Sequence, residues 1–134
     1  MAGYSGTPLP RKLGIKPGAL VATLDAPAGF AATLGELPPG AVVGAHSSGP
    51  ADVALLFAPH HLALESGFDR LAAAIRPAGG LWVCWPKKAS GIATDLDENV
   101  IREFGLARGL VDNKVCALDE TWSGLRFVYR LKDR

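Results

Sequence analysis

The sequence has few of the residues on which several protein classes depend. It contains only two cysteines, Cys84 and Cys116, and neither belongs to a CxxC pair or has a zinc-finger spacing to histidine. A disulfide-stapled secreted domain and a zinc finger are therefore not expected. Two reduced thiols that pack as small apolar side chains, in a cytoplasmic protein, are the simplest interpretation.

Charge of one sign and long apolar runs are also lacking. The formal net charge is only +1, which argues against a dedicated nucleic-acid-binding protein, because such proteins carry a clear basic excess. No apolar run reaches the roughly 20 residues that a membrane span needs. The first residues contain no apolar stretch of the kind found in secretory signals. We therefore expect a cytoplasmic chain that does not contact a membrane.

The composition is that of an ordinary globular domain. Apolar residues make up 49% of the 134 residues and charged residues 20%, which is enough apolar side chain for a substantial core. Residues 1–17 are rich in glycine, proline and basic residues, which predicts an N-terminal arm with at most a short turn near Leu9. Residues 18–134 are predicted to form a single α/β domain.

Short apolar runs alternate with helical patterns along the rest of the chain. Strands are predicted at 19–24, 41–45, 52–57, 81–85, 114–118 and 125–131. Helices are predicted at 29–36 and 61–76, and a third is predicted to begin at a cap formed by Thr94 or Asp95. This order predicts an α/β fold: one three-layer, Rossmann-like domain with a mainly parallel sheet of about six strands and a C-terminal antiparallel hairpin.

Polar side chains follow several of these predicted strands. In open parallel sheets, ligands bind outside the carboxyl ends of the strands, which places Asp25, His46, Lys87 and Lys88 on one rim. Trp85 ends the fourth strand and is a candidate for the wall of a cleft there. The rim is therefore the expected binding surface.

The loop that follows the fourth strand allows two interpretations. Lys87 and Lys88 could bind an anion together with Ser90, Thr94 and Asp95 at the start of the next helix. The same residue types also occur as solvated loop charges, turn residues and helix caps. Both interpretations remain open at this point.

Asp25 and the histidines are similarly ambiguous. Asp25 could hold a ribose hydroxyl or act as a base, but it could equally accept hydrogen bonds from the amides of its own turn. His60 and His61 are adjacent, so their side chains diverge, and no spacing predicts a metal site. The serines lie in neither a GxSxG nor an SxxK motif, so no catalytic residue is assigned.

The last strands raise the question of partners. Trp122 is predicted to lie in a turn, where it could anchor a protein interface or fold back over the core. The predicted strand 125–131 could form an exposed sheet edge, which suggests a homodimer. Arg126, Arg130 and Lys132 alternate along it and could instead keep such an edge unpaired.

Three stretches together give the chain a resemblance to known proteins. They are GYSGTPLPRKLGIKPG, LWVCWPKKASGIATDLDE and GLVDNKVCALDETWSGLRFVYR. With these stretches the chain resembles a family of small bacterial proteins known only as a domain of unknown function. The resemblance covers nearly the whole chain and implies a compact cytoplasmic α/β domain. It implies no activity, substrate or catalytic residue.

A second resemblance concerns the layout of the elements. AAAIRPAGGLWVCW is similar to the helix, turn and strand past the middle of class I methyltransferases, and the closing strand pair is similar to their terminal hairpin. Those enzymes have a GxGxG turn after the first strand, whereas this chain has Asp25-Ala-Pro-Ala-Gly29. They usually carry an acidic residue after the second strand, where this chain has His46. Without those glycines the backbone cannot approach a cofactor closely, which argues against S-adenosylmethionine and leaves the cofactor unassigned.

Three hypotheses for function follow. The first is a non-enzymatic, Rossmann-like domain that binds a small ligand or a protein partner at the rim. The second is a small enzyme or cofactor-binding protein acting on an anionic or nucleotide-like ligand at the same rim. The third is nucleic-acid binding through Arg11, Lys12, Lys16 and the rim lysines, which the small net charge disfavours. The missing glycine-rich turn and nucleophile motifs favour the first hypothesis.

Overall fold

The computed structural model describes residues 6–45 and 50–134. They form one six-stranded sheet with helices on both faces. The strands are β1 (Leu20–Leu24), β2 (Val42–Ala45), β3 (Ala51–Phe57), β4 (Ile75–Pro86), β5 (Leu110–Ala117) and β6 (Trp122–Tyr129). The helices are α1 (Leu9–Lys12), α2 (Phe30–Leu34), α3 (His61–Ala74) and α4 (Glu98–Ala107). Short 3₁₀ turns occupy Lys88–Ser90 and Leu131–Asp133.

The strand order confirms the predicted architecture. It is β2-β1-β3-β4-β6-β5, with parallel pairing from β2 through β4 and antiparallel pairing of β6 with both β4 and β5. The chain leaves β1 toward β2 on one side and returns to β3 on the other, which creates a switch point between β1 and β3. The sheet edges are β2 and β5. The prediction that the last strand could be an exposed edge is therefore wrong, because β6 lies between two partners.

Each face of the sheet has its own core. On the first face, α3 and α4 cover side chains such as Leu56, Val83 and Phe127. On the second face, α1 and α2 cover side chains such as Leu55 and Trp82. Trp82 and Trp85 belong to opposite cores, as their three-residue spacing in a strand predicts.

Residues from the predicted N-terminal arm take part in the second core. Leu9, Leu13 and Ile15 are buried there. The Trp82 Nε1–H group donates a hydrogen bond to the Leu13 carbonyl oxygen at 3.0 Å, which satisfies the one polar atom of a fully buried indole. The division into an arm at 1–17 and a domain at 18–134 stays a prediction, although from Leu9 onward the chain packs against the sheet.

The junction of α3 and β4 differs from the predicted one. The helix was expected to continue to Arg76 and the strand to begin at Leu81, but the helix ends at Ala74 and β4 begins at Ile75. Ile75 pairs with Ala51, and the register then shifts before Gly80 pairs with Val53. Arg76 therefore does not sit in the last helical turn, and its guanidinium forms an ion pair with Asp52 (3.0 Å).

Candidate functional site

The carboxyl ends of β1, β3 and β4 form one rim, because these strands are parallel neighbours. Asp25 follows β1, and Lys87 follows β4. Trp122 pairs with Pro86, so the beginning of β6 lies at the same rim, and Trp122 is a strand residue rather than the turn residue that was predicted. His46 lies outside the residues that the structure describes.

Asp25 occupies an uncommon backbone conformation. Its φ is 60°, in the left-handed region, and it is the one non-glycine residue among the described residues with a positive φ. Aspartate tolerates this region better than most side chains, because its short carboxylate can hydrogen-bond locally. The conformation turns the chain sharply away from β1, and the side chain is exposed at the rim.

The side chains of the β4 loop hold that loop in place. The Lys87 ammonium donates to the Asp119 carbonyl oxygen at 2.6 Å, and the Lys87 amide donates to the Thr121 carbonyl oxygen at 2.8 Å. Ser90 donates to the Lys87 carbonyl oxygen at 2.6 Å and accepts from the Ile92 amide at 3.2 Å. The Lys87 bonds join the end of β4 to the β5–β6 connection, and the Ser90 bonds lie within the loop. Lys88 is exposed.

Thr94 and Asp95 do not cap the helix that was predicted for them. The N-cap of α4 is Asp97, whose Oδ1 accepts from the Val100 amide at 2.8 Å. Thr94 Oγ1 accepts from the Leu96 amide at 3.1 Å. Asp95 Oδ1 instead accepts from the His61 amide at 2.8 Å, which satisfies a free N–H group at the beginning of α3.

The two tryptophans at the rim pack against the hydrophobic cores and project little into solvent. Trp85 is only 8% exposed and lies in the first core, so its ring offers little surface to a ligand. Trp122 is partly buried and packs edge-to-face against Phe57, with ring centroids 5.2 Å apart. Trp122 therefore folds back onto the second core, which was one of its two predicted positions.

The histidines at the start of α3 serve local structure. His60 is the N-cap of α3, and its Nδ1 lies 3.4 Å from the Ala63 amide. His61 Nδ1 lies 2.9 Å from Glu65 Oε1, one helical turn later. Within the two described segments, no group of three His, Cys, Asp or Glu side chains is arranged to hold a metal ion.

The cysteines lie on either side of one glycine. Cys84 and Cys116 are both register partners of Gly124 in β6, so they face the same side of the sheet but are two strands apart. Both thiols are free. Burial raises the pKa of the Cys84 thiol well above its ordinary value, which keeps it neutral and unreactive. Burial also raises the pKa of Cys116, an effect that Lys12 and Lys114 oppose.

A cavity of about 450 Å³ opens at the carboxyl ends of β1 and β2. Its walls are mainly apolar and come from β1, the turn after it, α2 and β2; they include Thr23, Pro27, Phe30, Leu34 and Val43. A wider groove of about 890 Å³ lies on the other side of α2, beside the β5–β6 connection, and includes Glu36, Asp119 and Glu120.

Sequence reasoning missed the lining of the smaller cavity. Its residues were assigned to a buried strand and a short helix, and no polar pattern drew attention to them. The available signal was the shortness of the second apolar run, which ends at Gly44-Ala45, next to a turn containing Pro27 and Gly29. A four-residue edge strand beside a five-residue helix leaves apolar surface uncovered.

Comparisons with solved structures agree with this architecture. A SAM-dependent methyltransferase from Aquifex aeolicus is 14% identical, with a TM-score of 0.54 over 87% of this chain and 85% of that one. The PH0226 protein from Pyrococcus horikoshii is 11% identical, with a TM-score of 0.54 over 91% and 86%. TrmN from Thermus thermophilus is 16% identical, with a TM-score of 0.54 over 97% of this chain and 51% of TrmN.

These similarities show the fold alone: a Rossmann-like α/β fold shared with S-adenosylmethionine-dependent methyltransferases. The chain spans about half the length of TrmN. No protein-family model matches the sequence, and no curated protein matches it. The layout resemblance to methyltransferases is thereby supported at the level of the fold, whereas the resemblance to the family of small bacterial proteins has no matching family model. No helix among the described residues is long and apolar enough to cross a membrane.

The turn after β1 does not fit the close approach that S-adenosylmethionine requires in this fold. Asp25 and Pro27 carry side chains where the methyltransferase resemblance implies the first two glycines of GxGxG, whereas Gly29 matches the third. Pro27 has no N–H to donate, and its carbonyl oxygen accepts from the Phe30 amide at 3.1 Å. Neither residue 27 nor the Phe30 amide can therefore donate a backbone hydrogen bond to such a cofactor.

Proposed function

We propose that this chain is a non-catalytic binding domain that holds a small nucleoside-like ligand in the 450 Å³ cavity beside β1. The observation that carries the proposal is the cavity itself. It lies at the carboxyl ends of the parallel strands β1 and β2, the end of such a sheet at which ligands bind. Its walls are mainly apolar, and its volume is within the usual range for small-molecule sites. A flat heterocycle can pack against such walls.

Polar groups near the cavity suit a neutral nucleoside. Thr23 lines it, with Oγ1 3.4 Å from the Gly44 carbonyl oxygen. The exposed carboxylate of Asp25 precedes the lining residue Ala26 and can accept a hydrogen bond from a ribose hydroxyl. S-adenosylmethionine is bound in a solved structure with the same fold, that of LepI, at 15% identity and a TM-score of 0.54. That neighbour supports the adenosine part of the ligand class, whereas the turn at Pro27 disfavours the rest.

The enzymatic alternative has less support. Lys87, one of the two lysines that would hold an anion, donates to the Asp119 carbonyl oxygen, and Asp95 accepts from the His61 amide. Ser90 is likewise hydrogen-bonded within its own loop. Reaction chemistry needs a nucleophile and a base within hydrogen-bond reach of one another, and the placement of these side chains favours binding over catalysis.

The test uses two tryptophan variants of neighbouring exposed alanines in α2. Ala31 lines the 450 Å³ cavity, whereas Ala32 lines the wider groove on the other side. We expect adenosine to shift the backbone amide resonances of Thr23 and Val43 in the wild type and in Ala32→Trp, but not in Ala31→Trp. S-adenosylmethionine should bind no more tightly than adenosine.

Three results would overturn the proposal. One is an absence of shifts with adenosine in the folded wild type. Another is an equal loss of shifts in Ala31→Trp and Ala32→Trp, which would place binding elsewhere. The third is chemical conversion of adenosine or S-adenosylmethionine during the incubation, detected by chromatography. It would support the enzymatic alternative over a non-catalytic binding domain.

A further inference from the structure

The second face of the β5–β6 hairpin brings like charges together. Lys114 of β5 and Arg126 of β6 are direct register partners, so their side chains leave the same face of the sheet with Cβ atoms about 5 Å apart. Arg126 is also the register partner of Trp82, which belongs to the second core. Like charges directly opposite each other on adjacent strands destabilise the strand pair. The pairing of Lys114 with Arg126 therefore costs stability unless another group offsets the repulsion.

The Arg126 guanidinium fills the space that the missing side chain of Gly80 leaves. A Cβ atom added to Gly80 would lie 2.7 Å from both Cζ and Nη2 of Arg126, so the guanidinium lies against the β4 backbone where no side chain intervenes. Burial lowers the pKa of Arg126, and the charge of Arg134 lowers it further. A partly buried guanidinium has lost water from its five N–H donors and needs acceptors in its place.

No acceptor is found for this guanidinium within residues 6–45 and 50–134. The ion pairs of the described chain do not include Arg126 or Lys114. The nearest carboxylate in sequence to Lys114 is Asp112, which pairs with Arg102 at 2.9 Å. That pair lies on the opposite face, because Asp112 is the register partner of Phe127 rather than of Arg126.

Two further cations extend the positive charge of this face. Arg134 Nε donates to the Tyr129 carbonyl oxygen at 3.0 Å, and its charge reaches Arg126. Lys12 donates to the Ala117 carbonyl oxygen of β5 at 2.9 Å. Like Lys114, it is close enough to Cys116 to act on that thiol electrostatically.

We propose that Arg126, Lys114 and Arg134 form a binding site for a phosphate group. A guanidinium fork can donate two parallel hydrogen bonds to phosphate oxygens, and the dianion would cancel the repulsion between the opposed cations. The phosphate could belong to a small phosphomonoester or to a nucleic-acid backbone. The net charge of +1 favours the small molecule, because a polyanion needs a longer basic track. This site is separate from the β1 cavity.

Inorganic phosphate and pyrophosphate are the probes, titrated at low ionic strength into the folded chain and followed by the amide resonances of β5 and β6. We expect saturable shifts at residues 114 and 126. Arg126→Gln should weaken binding by about tenfold or more, the scale of one charge-assisted bidentate contact. Gly80→Ala keeps every charge but displaces the guanidinium, so it should weaken binding as well.

The control is Arg70→Gln, which removes an exposed cation from α3 on the other face. Equal weakening in Arg70→Gln and Arg126→Gln would show diffuse charge attraction and overturn the proposal. If Gly80→Ala does not fold, Arg126→Lys replaces it. That variant keeps the charge but loses the fork, and unchanged affinity there would count against the site.

A second arm separates the two sources of phosphate. A single-stranded oligonucleotide is titrated beside pyrophosphate at several salt concentrations. Pyrophosphate binding that depends on Arg126, with no stronger oligonucleotide binding, supports the small-molecule site. Oligonucleotide binding without any response to phosphate or pyrophosphate would overturn it, because the contact would then need a polyanion.

Discussion

Asp95 shows what single residues contribute to this fold. Its carboxylate lies in the loop before α4 but accepts its hydrogen bond from the first amide of α3, 34 residues earlier in the chain. Lys87 works similarly, because its ammonium ties the end of β4 to the β5–β6 connection. These two polar residues, which the sequence predicts as candidates for ligand binding, thus hold loops against helices and strands. Their role in binding stays a prediction.

Replacing Asp95 tests this contact directly. Asp95→Ala should lower the free energy of unfolding by about 1 kcal/mol, because one N–H group at the start of α3 loses its acceptor and the helix dipole loses a favourable charge. Asp95→Asn should keep most of the stability, since its amide oxygen can still accept. Urea denaturation measures both.

The matched control is Glu103→Ala, which removes an exposed carboxylate from the interior of α4. It should change the free energy of unfolding by less than about 0.5 kcal/mol. If Asp95→Ala costs no more than Glu103→Ala, the hydrogen bond to His61 contributes nothing to stability.

At the scale of elements, glycines set how closely helices and strands approach. Gly105 lies in α4 opposite Phe127 of β6, and a Cβ atom there would lie 2.6 Å from Phe127 Cδ1. Phe127 is fully buried and packs edge-to-face on Phe68, with ring centroids 5.5 Å apart. The ring cannot move away, so α4 sits on β6 only because residue 105 has no side chain.

Gly105→Ala should therefore destabilise the protein although alanine is the better helix former. Overpacking costs about 1–3 kcal/mol and helix propensity returns about 1 kcal/mol, so we expect a net loss of up to about 2 kcal/mol in urea denaturation. Gly67→Ala in α3 is the comparison. Its added Cβ would meet the terminal methyl carbons of Leu56 and Leu24, at 2.5 Å and 2.9 Å, which are the far ends of aliphatic side chains rather than a rigid ring. A loss in Gly105→Ala no larger than in Gly67→Ala would contradict the close approach.

The order of elements was predictable because apolar periodicity is local. Runs such as DVALLF are buried on both faces and are typical of inner parallel strands, which is where β3 lies. The end of α3 was not predictable in the same way. Ile75 and Arg76 continue the helical pattern, but Ile75 pairs with Ala51 in the sheet, and that pairing overrides local preference.

At the scale of the whole molecule, the segment before β1 closes the second core. Leu13 is fully buried, and its carbonyl oxygen receives the Trp82 N–H. In the sequence this segment is dominated by proline, glycine and basic residues, which predict an arm. The burial of Leu9, Leu13 and Ile15 depends on a sheet face that forms only when distant strands assemble.

Leu13→Ala should lower the free energy of unfolding by about 3 kcal/mol, because it leaves a cavity in a core that cannot fully collapse. Leu62→Ala, at a position that is 68% exposed, should change it by less than about 0.5 kcal/mol. Thermal and urea unfolding of both variants give the comparison. A neutral Leu13→Ala would mean that the N-terminal segment is not part of the cooperatively folded core.

The sequence by itself determined the class of the fold and the strands that reach the rim, because burial patterns and turn residues act over a few positions. The tertiary structure decided which polar groups meet. It joined Asp95 to His61, placed Lys114 opposite Arg126 and opened the cavity between β1, α2 and β2. Such contacts depend on strand register and helix position across many residues. A local sequence pattern indicates that a residue is buried, but it does not indicate which distant residue packs against it.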